Sequence, residues 1–507
     1  MFKYVGLLSS LFIVGCSSID QGVDPNAAVS SSDLANNAAY IDTYSVEQGG
    51  SLTMYVSSDM TFNVKLQHMT LSNVVKWKGG PYTTHLQDIP NNPWIDPLNW
   101  DDGITINIGE NYESGWYQLF VTYENGDYSL MQFVVKEDDM GSTSTILVLD
   151  NATTRAAYNS WGNRSTYGFS SQNGQTAKTV NLYRPDSFKA QSEHIAFARW
   201  AKAADIPLEY ASTIDWHNDP TLFSNYDLIV IVEHSEYWSK EMRDAVDAHL
   251  EGGGNFFSMS GNTAWWQVRI EDDVLVAYKW GPADPMYGID NSRVTSLWSD
   301  DIVNNPENST IGVSYRSAGY VNSSGFYLAK DGYGGYDVKI PDHPLFEGTE
   351  LKYNDSLGQA ATIVGYETDG AEFTEIDGVP IVTGNDGTPP TLEILATSPA
   401  KTKHWEGTAT MVAGTIRNGK VVNVATVDWA DGLWKGSGKW GHVVDAQVAK
   451  VTLNIIEDLA PGSGGACNAG CHPSDYNDAD NDGVDDKCDR CVVTPGDAFG
   501  GCPITLE

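Results

Sequence analysis

The chain has 507 residues, long enough for two or three domains. With 67 Asp and Glu against 30 Lys and Arg it carries a formal charge of −37, which excludes nucleic acid and anionic membrane surfaces as electrostatic partners. One of the six cysteines is Cys16, and the others (Cys467, Cys471, Cys488, Cys491 and Cys502) sit at the far end, so the stretch between holds no cysteine nucleophile.

Met1 to Cys16 reads MFKYVGLLSSLFIVGC: one Lys, an apolar run, then Ile13-Val14-Gly15-Cys16. That is a secretory signal too short to span a bilayer as a helix. The small residue before Cys16 matches the bacterial lipoprotein signal, in which this cysteine is acylated and becomes the new N-terminus. Ser17 rather than Asp follows, which points to the outer membrane or cell surface of the bacterial envelope. Acyl chains contribute about 0.8 kcal/mol per buried CH₂, so a fully acylated Cys16 is a stable anchor. Residues 17–38, rich in Ser, Asn, Ala and Asp, form a tether.

Across 39–142 short alternating runs such as Ser51–Val56 and Trp116–Val121 are separated by turn clusters, predicting an all-β sandwich. The linker KEDDMGSTS follows. The character then changes over 143–460. Thr145–Leu149 is a short apolar strand, Gln191–Asp205 a helix, and Leu208–Tyr210 and Tyr226–Val232 strands. Ser239 caps a helix whose Met242, Ala245, Val246, His249 and Leu250 share a face, and Gly252–Gly254 ends it. Asn255–Ser260 and Val421–Val427 are further strands. The order predicts an α/β sheet wound with helices. Pro461–Gly465 leads into the tail, 461–507.

The sharpest signal is Tyr226–Trp238, YDLIVIVEHSEYW, a strand buried on both faces that ends in His234, Glu236 and Tyr237. Open parallel sheets place their chemistry beyond the carboxyl ends of strands. Polar segments also follow TILVL (Asp150–Tyr167) and NFFSMS (Gly261–Trp266). Neighbouring strands would bring Tyr158, Tyr167, His234, Glu236 and Asn262 into one pocket.

HSEYW, KEMRDAVDAHLEGGGNFF, GNTAWWQVR and TTRAAYNSWG, with the later GYETDG (365–370) and ATVDWADGL (425–433), resemble the C-terminal catalytic domain of the N,N-dimethylformamidase large subunit, over roughly 145–440. The resemblance implies a class I glutamine amidotransferase-like (flavodoxin-like) fold without the nucleophilic cysteine. It also implies one iron held by two tyrosines and a glutamate. Carried over, Glu236 is the carboxylate ligand, Tyr158 the first tyrosine and Tyr167 the second, with Tyr183 in reserve. His234 is an acid/base or orienting group and Asn262 a polar group facing substrate. Phenolate and carboxylate are hard donors suited to ferric iron, which lowers the pKa of water and polarises a carbonyl. His234 would then protonate the departing amine. The chain holds no Gly-x-Ser-x-Gly elbow and no His-Glu-x-x-His, which argues against a serine hydrolase or zincin.

In the tail, Asp478, Asp480, Asp482, Asp486 and Asp489 stand at loop positions 1, 3, 5, 9 and 12, with Gly483 at 6 and Val484 offering its carbonyl at 7, the spacing of a calcium loop. With CDRC and GCP the segment resembles a thrombospondin type 3 repeat, with Cys491–Cys502 the expected disulfide and one cysteine left over. The expectation is therefore a surface-anchored, metal-dependent hydrolase of amide-type C–N bonds, with iron and calcium as cofactors and a cell-surface partner for the tail. Two alternatives stand beside it: a lyase or hydrolase of an acidic polysaccharide using Tyr158 or Tyr167 with His234, and a non-catalytic adhesion lipoprotein.

Overall fold

Alternation of side chains makes Phe62–His68 a strand with one dry face: Phe62, Val64, Leu66 and His68 are buried while Asn63 between them is exposed. The computed structural model describes residues 31–69, 73–186, 192–320, 334–402, 404–434 and 443–462. Cys16, the calcium-type loop and the tail cysteines lie outside the described residues. Phe62–His68 pairs antiparallel with Val74–Tyr82 and Gly115–Tyr123 in a five-stranded sheet. A three-stranded sheet of Ala38–Ile41, Ser51–Ser57 and Ile104–Asn107 shares its core, which includes Leu52, Met54, Leu66, Leu119 and Phe133.

The largest sheet has eleven strands. Glu209–Ser212, Ile146–Asp150, Leu228–Val232, Asn255–Met259 and Gly419–Asn423 run parallel in that order. Their continuous apolar runs have a physical reason. Val148, Val230, Val232, Phe257 and Met259 point to one face, packed by the helices Ser192–Ala203 and Ala446–Leu459. Leu147, Leu149, Ile229, Ile231 and Phe256 point to the other, packed by Met242, Val246 and Leu250 of the helix Lys240–Glu251. A strand covered on both sides favours apolar residues at successive positions rather than in alternation. Ser239 caps that last helix by accepting the Met242 N–H at 3.2 Å.

Beyond Gly419–Asn423 the sheet turns antiparallel, through Glu406–Ile416, Leu392–Lys401, Ser314–Tyr320 and Glu367–Gly370. This overturns the expected flavodoxin-like, amidotransferase-like α/β fold. Strand accounts for 35% of the structure and helix for 21%, and the described strands form five sheets, so the architecture is mostly β. The expectation rested on the parallel strands between 146 and 260, whose apolar runs and capped helix are conspicuous. The β-rich remainder carries no comparable signal.

A small separate sheet takes up the chain just beyond two of the central strands. Tyr237–Ser239 is a short strand paired in parallel with Trp266–Glu271, Tyr237 facing Trp266, and that strand pairs with Val274–Val276. This pairing pins the far ends of the two turns that leave Leu228–Val232 and Asn255–Met259.

Candidate functional site

Two turns leave the carboxyl ends of adjacent parallel strands. After Leu228–Val232 the chain passes through Glu233, in the left-handed region (φ 67°), whose N–H bonds to the Met259 carbonyl at 2.8 Å. After Asn255–Met259 it passes through Asn262 (φ 53°) and Ala264 (φ 50°). The turns are laced together: the Ala264 N–H donates to the Ser235 carbonyl at 2.8 Å and the Trp266 N–H to the Glu236 carbonyl at 3.0 Å. The third contributor is the helix Ala152–Tyr158, which starts directly after Ile146–Asp150. Its Thr154 hydroxyl oxygen accepts the Glu236 N–H at 3.1 Å. At its base the buried Asp150 accepts from Arg155 Nη2 at 2.8 Å and from the Trp116 indole at 2.8 Å.

These supports converge on Glu236, which is fully buried. Tyr158 donates its hydroxyl to Glu236 Oε2 at 2.6 Å, and Tyr167 donates to Glu236 Oε1. The two phenol rings lie 4.7 Å apart. Each carboxylate oxygen therefore holds one phenol. His234 Nε2 stands 3.3 Å from the Tyr158 hydroxyl, 3.3 Å from Glu236 Oε2 and 3.0 Å from Glu367 Oε2. Its Nδ1 is 3.1 Å from the Gly261 carbonyl, which requires the proton on that nitrogen.

Asn262 joins through its backbone. Its N–H and that of Thr263 donate to Asp369 Oδ1 and Oδ2 at 2.9 and 3.0 Å, while its buried side-chain oxygen has no hydrogen-bond partner among the described residues. Tyr183, the reserve tyrosine, lies against Tyr44 with ring centres 5.7 Å apart and does not bond Glu236. The structure thus gathers Tyr158, Tyr167, His234 and Glu236, with Asn262 on the adjoining turn.

Three further groups belong to the cluster and were not singled out from the sequence. Glu367 opens the strand Glu367–Gly370, places Oε2 3.0 Å from His234 Nε2 and accepts from the Tyr320 hydroxyl at 3.0 Å. Asp369, two residues on, clamps the Asn262 turn. Lys279 places its ammonium 3.3 Å from the centre of the Tyr167 ring and donates to the Tyr237 hydroxyl at 2.5 Å. The segment GYETDG was the available signal for the two acids, but nothing in its pattern says that Glu367 reaches a histidine over a hundred residues earlier.

The electrostatics follow from burial and neighbours. Burial pushes the Glu236 carboxyl up, but the His234 hydrogen bond and charge, the Lys279 charge and the Tyr158 hydroxyl outweigh it and leave it below the ordinary glutamate value. Burial, then the Glu236 charge, holds the Tyr167 and Tyr237 phenols well above theirs. Burial lowers Lys279 to about 7, against the pull of Glu236. Burial raises Asp369 to about 8 against the backbone N–H groups it accepts. Elsewhere among the described residues, Glu193, Asp428 and Asp431 bring buried carboxylate oxygens within 4.8 Å of one another, and His85, Asp101 and Asp102 form an exposed group.

A buried carboxylate gripped by two phenols thus stands beside a histidine shared with a second carboxylate, at the rim of a β-rich fold. Residues 65–440 match the family described as N,N-dimethylformamidase beta subunit-like, C-terminal, and the chain belongs to that family. The match starts within the five-stranded sheet, earlier than the motifs alone indicated. No curated protein matches the chain. Among solved structures, a superoxide reductase (neelaredoxin) from Ignicoccus hospitalis is 9% identical, covers 20% of this chain and 81% of its own, and has a TM-score of 0.14. A cycloisomaltooligosaccharide glucanotransferase from Paenibacillus sp. is 8% identical, covers 45% of this chain and 53% of its own, and has a TM-score of 0.17. Neither likeness carries an argument about the fold. No helix among the described residues is long and apolar enough to cross a membrane.

Proposed function

We propose that this chain hydrolyses amide-type C–N bonds, with an iron ion held by Tyr158, Tyr167 and Glu236. Membership of a family named for an amidase supports the reaction class. The observation that carries the reading is the grip of the two phenols on opposite oxygens of one buried carboxylate. The donor set fits the metal: three hard oxygen groups that become anionic together, which a trivalent cation compensates. Bound ferric iron would supply Lewis acidity toward water and toward the amide carbonyl.

The protein's own groups do the rest. His234 keeps Nδ1–H on the Gly261 carbonyl, so Nε2 is the nitrogen that exchanges a proton. Glu367, 3.0 Å from that Nε2, takes the proton released by water and passes it to His234. His234 then hands it to the departing amine, which leaves as a neutral molecule. The unpaired side-chain oxygen of Asn262 is available to the substrate amide N–H. Lys279, over the Tyr167 ring, stabilises negative charge on that phenol.

The test is hydrolysis of a panel of simple amides by the mature chain, with and without added iron. Iron-dependent release of amine is the expected result. Full activity after stringent chelation would overturn the metal assignment, and no release from any amide would overturn the reaction.

We further propose that Cys16 is the lipid-bearing residue and that Asp478–Asp489 binds calcium. The 478–489 spacing supports a stiffened spacer rather than a catalytic part. Calcium chelation is expected to open protease cleavage beyond about residue 466 only; melting of the main body would contradict the modular arrangement.

A further inference from the structure

The polar row ends in aromatic groups on both sides. At one end Tyr167 stacks on Phe169, ring centres 5.2 Å apart, and Phe169 is 58% exposed. At the other end Glu367 holds Tyr320, whose ring lies 6.0 Å from Tyr315. Tyr315 in turn meets Trp265 at 5.4 Å and Trp405 at 6.1 Å, both edge to face. Trp265 and Trp405 are half-buried. Trp280, directly after Lys279, is 65% exposed.

Single exposed aromatics are ordinary, but a set of them placed around one polar centre is not. Trp405 is held directly, and Trp265 through its chain neighbour. The Trp405 indole donates to the Ala318 carbonyl at 3.0 Å, and the Trp266 indole, next to Trp265, donates to the Tyr167 hydroxyl at 3.3 Å. Rings anchored this way present fixed faces. The flanking cation is Arg316, 5.9 Å from the Trp265 ring centre, and it is tied to Ser299 at 3.1 Å.

We propose that Trp265 and Trp405, with Tyr315 between them, form a substrate subsite for an uncharged six-membered ring attached to the scissile amide. This rests on the amidase reading above and names its substrate class. A small secondary amide such as N-methylacetamide reaches the Asn262 oxygen through its N–H and leaves the wall untouched. A flat ring, whether an arene or the C–H face of a pyranose, buries against the indole faces. Arg316, at the edge of the wall, is already engaged by Asp300 at 3.5 Å, and the charge of −37 disfavours an anionic ring.

The experiment compares acetanilide, N-acetylglucosamine and N-methylacetamide, all secondary amides, on the iron-loaded mature chain, measuring both calorimetric affinity and turnover. The subsite predicts that at least one ring amide binds about three- to tenfold more tightly than the methyl amide. Trp265→Ala and Trp405→Ala should each lose that preference while affinity for N-methylacetamide stays unchanged. Trp265→Phe should keep most of it, which separates ring contact from a folding defect. The better of the two ring amides decides between arene and pyranose. Equal affinity for all three amides, or ring preference intact in both alanine variants, overturns the subsite. Ring preference without hydrolysis upholds the subsite and overturns the amidase reading; hydrolysis without ring preference does the reverse.

Discussion

Two buried histidines in this molecule have opposite surroundings. His68 lies in the amino-terminal sheets, stacked on Tyr117 with ring centres 4.4 Å apart. Burial first, then the charges of Lys76 and Lys202, pushes it down to about 3, so it is a neutral core residue at ordinary pH. His234 is about as buried, yet its Nε2 faces two carboxylates and a phenol, with Nδ1 fixed on a carbonyl. Burial outweighs everything else around His68, whereas at His234 two carboxylate oxygens stand within 3.3 Å of Nε2. The sandwich uses the residue for packing; at the strand rim it is the residue we propose for proton transfer.

The largest expected contrast is in turnover. His234→Gln should lower kcat by about 10²–10⁴-fold, the usual contribution of a positioned acid or base. His68→Gln should leave kcat unchanged when activity is referred to folded protein. A second contrast is in stability. Leu66, fully buried in the sandwich, should cost about 2–5 kcal/mol on Leu66→Ala, read from denaturant unfolding, with kcat per folded molecule retained.

A third contrast is in pH dependence, where the two regions have opposite signs. His68 titrates lower in the folded chain than in the unfolded one, so its contribution is lost as pH falls from about 6.5 toward 3. Asp369 titrates higher when folded, up to about 8, so stability falls as pH rises from about 4 to 8. Melting temperatures across that range should flatten on the acid side in His68→Gln and on the neutral side in Asp369→Asn. An Asp369→Asn curve parallel to the parent would remove Asp369 from the account.

What was readable in the chain divides in the same way. Leu228–Val232 and Asn255–Met259 are covered on both faces, so their apolar runs announce a strand, and the abrupt HSE after the first announces a site. Placing Tyr158, Tyr167, His234 and Glu236 together needed only that these strands be neighbours. Glu367 was not readable, because Glu367-Thr368-Asp369-Gly370 is a fully buried strand without an apolar residue. No hydrophobic pattern marks it. The overall fold was misjudged for a related reason. Glu406–Ile416 is an eleven-residue strand built from Gly, Thr, Ala and a few larger residues, and its antiparallel partners reveal themselves only in pairing. A short parallel segment with strong signals stood in for a larger β-rich whole.

The most direct test of the central claim is the iron content and visible spectrum of the mature chain beside Glu236→Ala and Tyr158→Phe. Tyrosinate bound to ferric iron absorbs visible light, so the parent should be coloured with one iron per chain, Glu236→Ala colourless and iron-free, and Tyr158→Phe altered in colour. A parent that takes up no iron, or a Glu236→Ala protein with unchanged iron and colour, would contradict it.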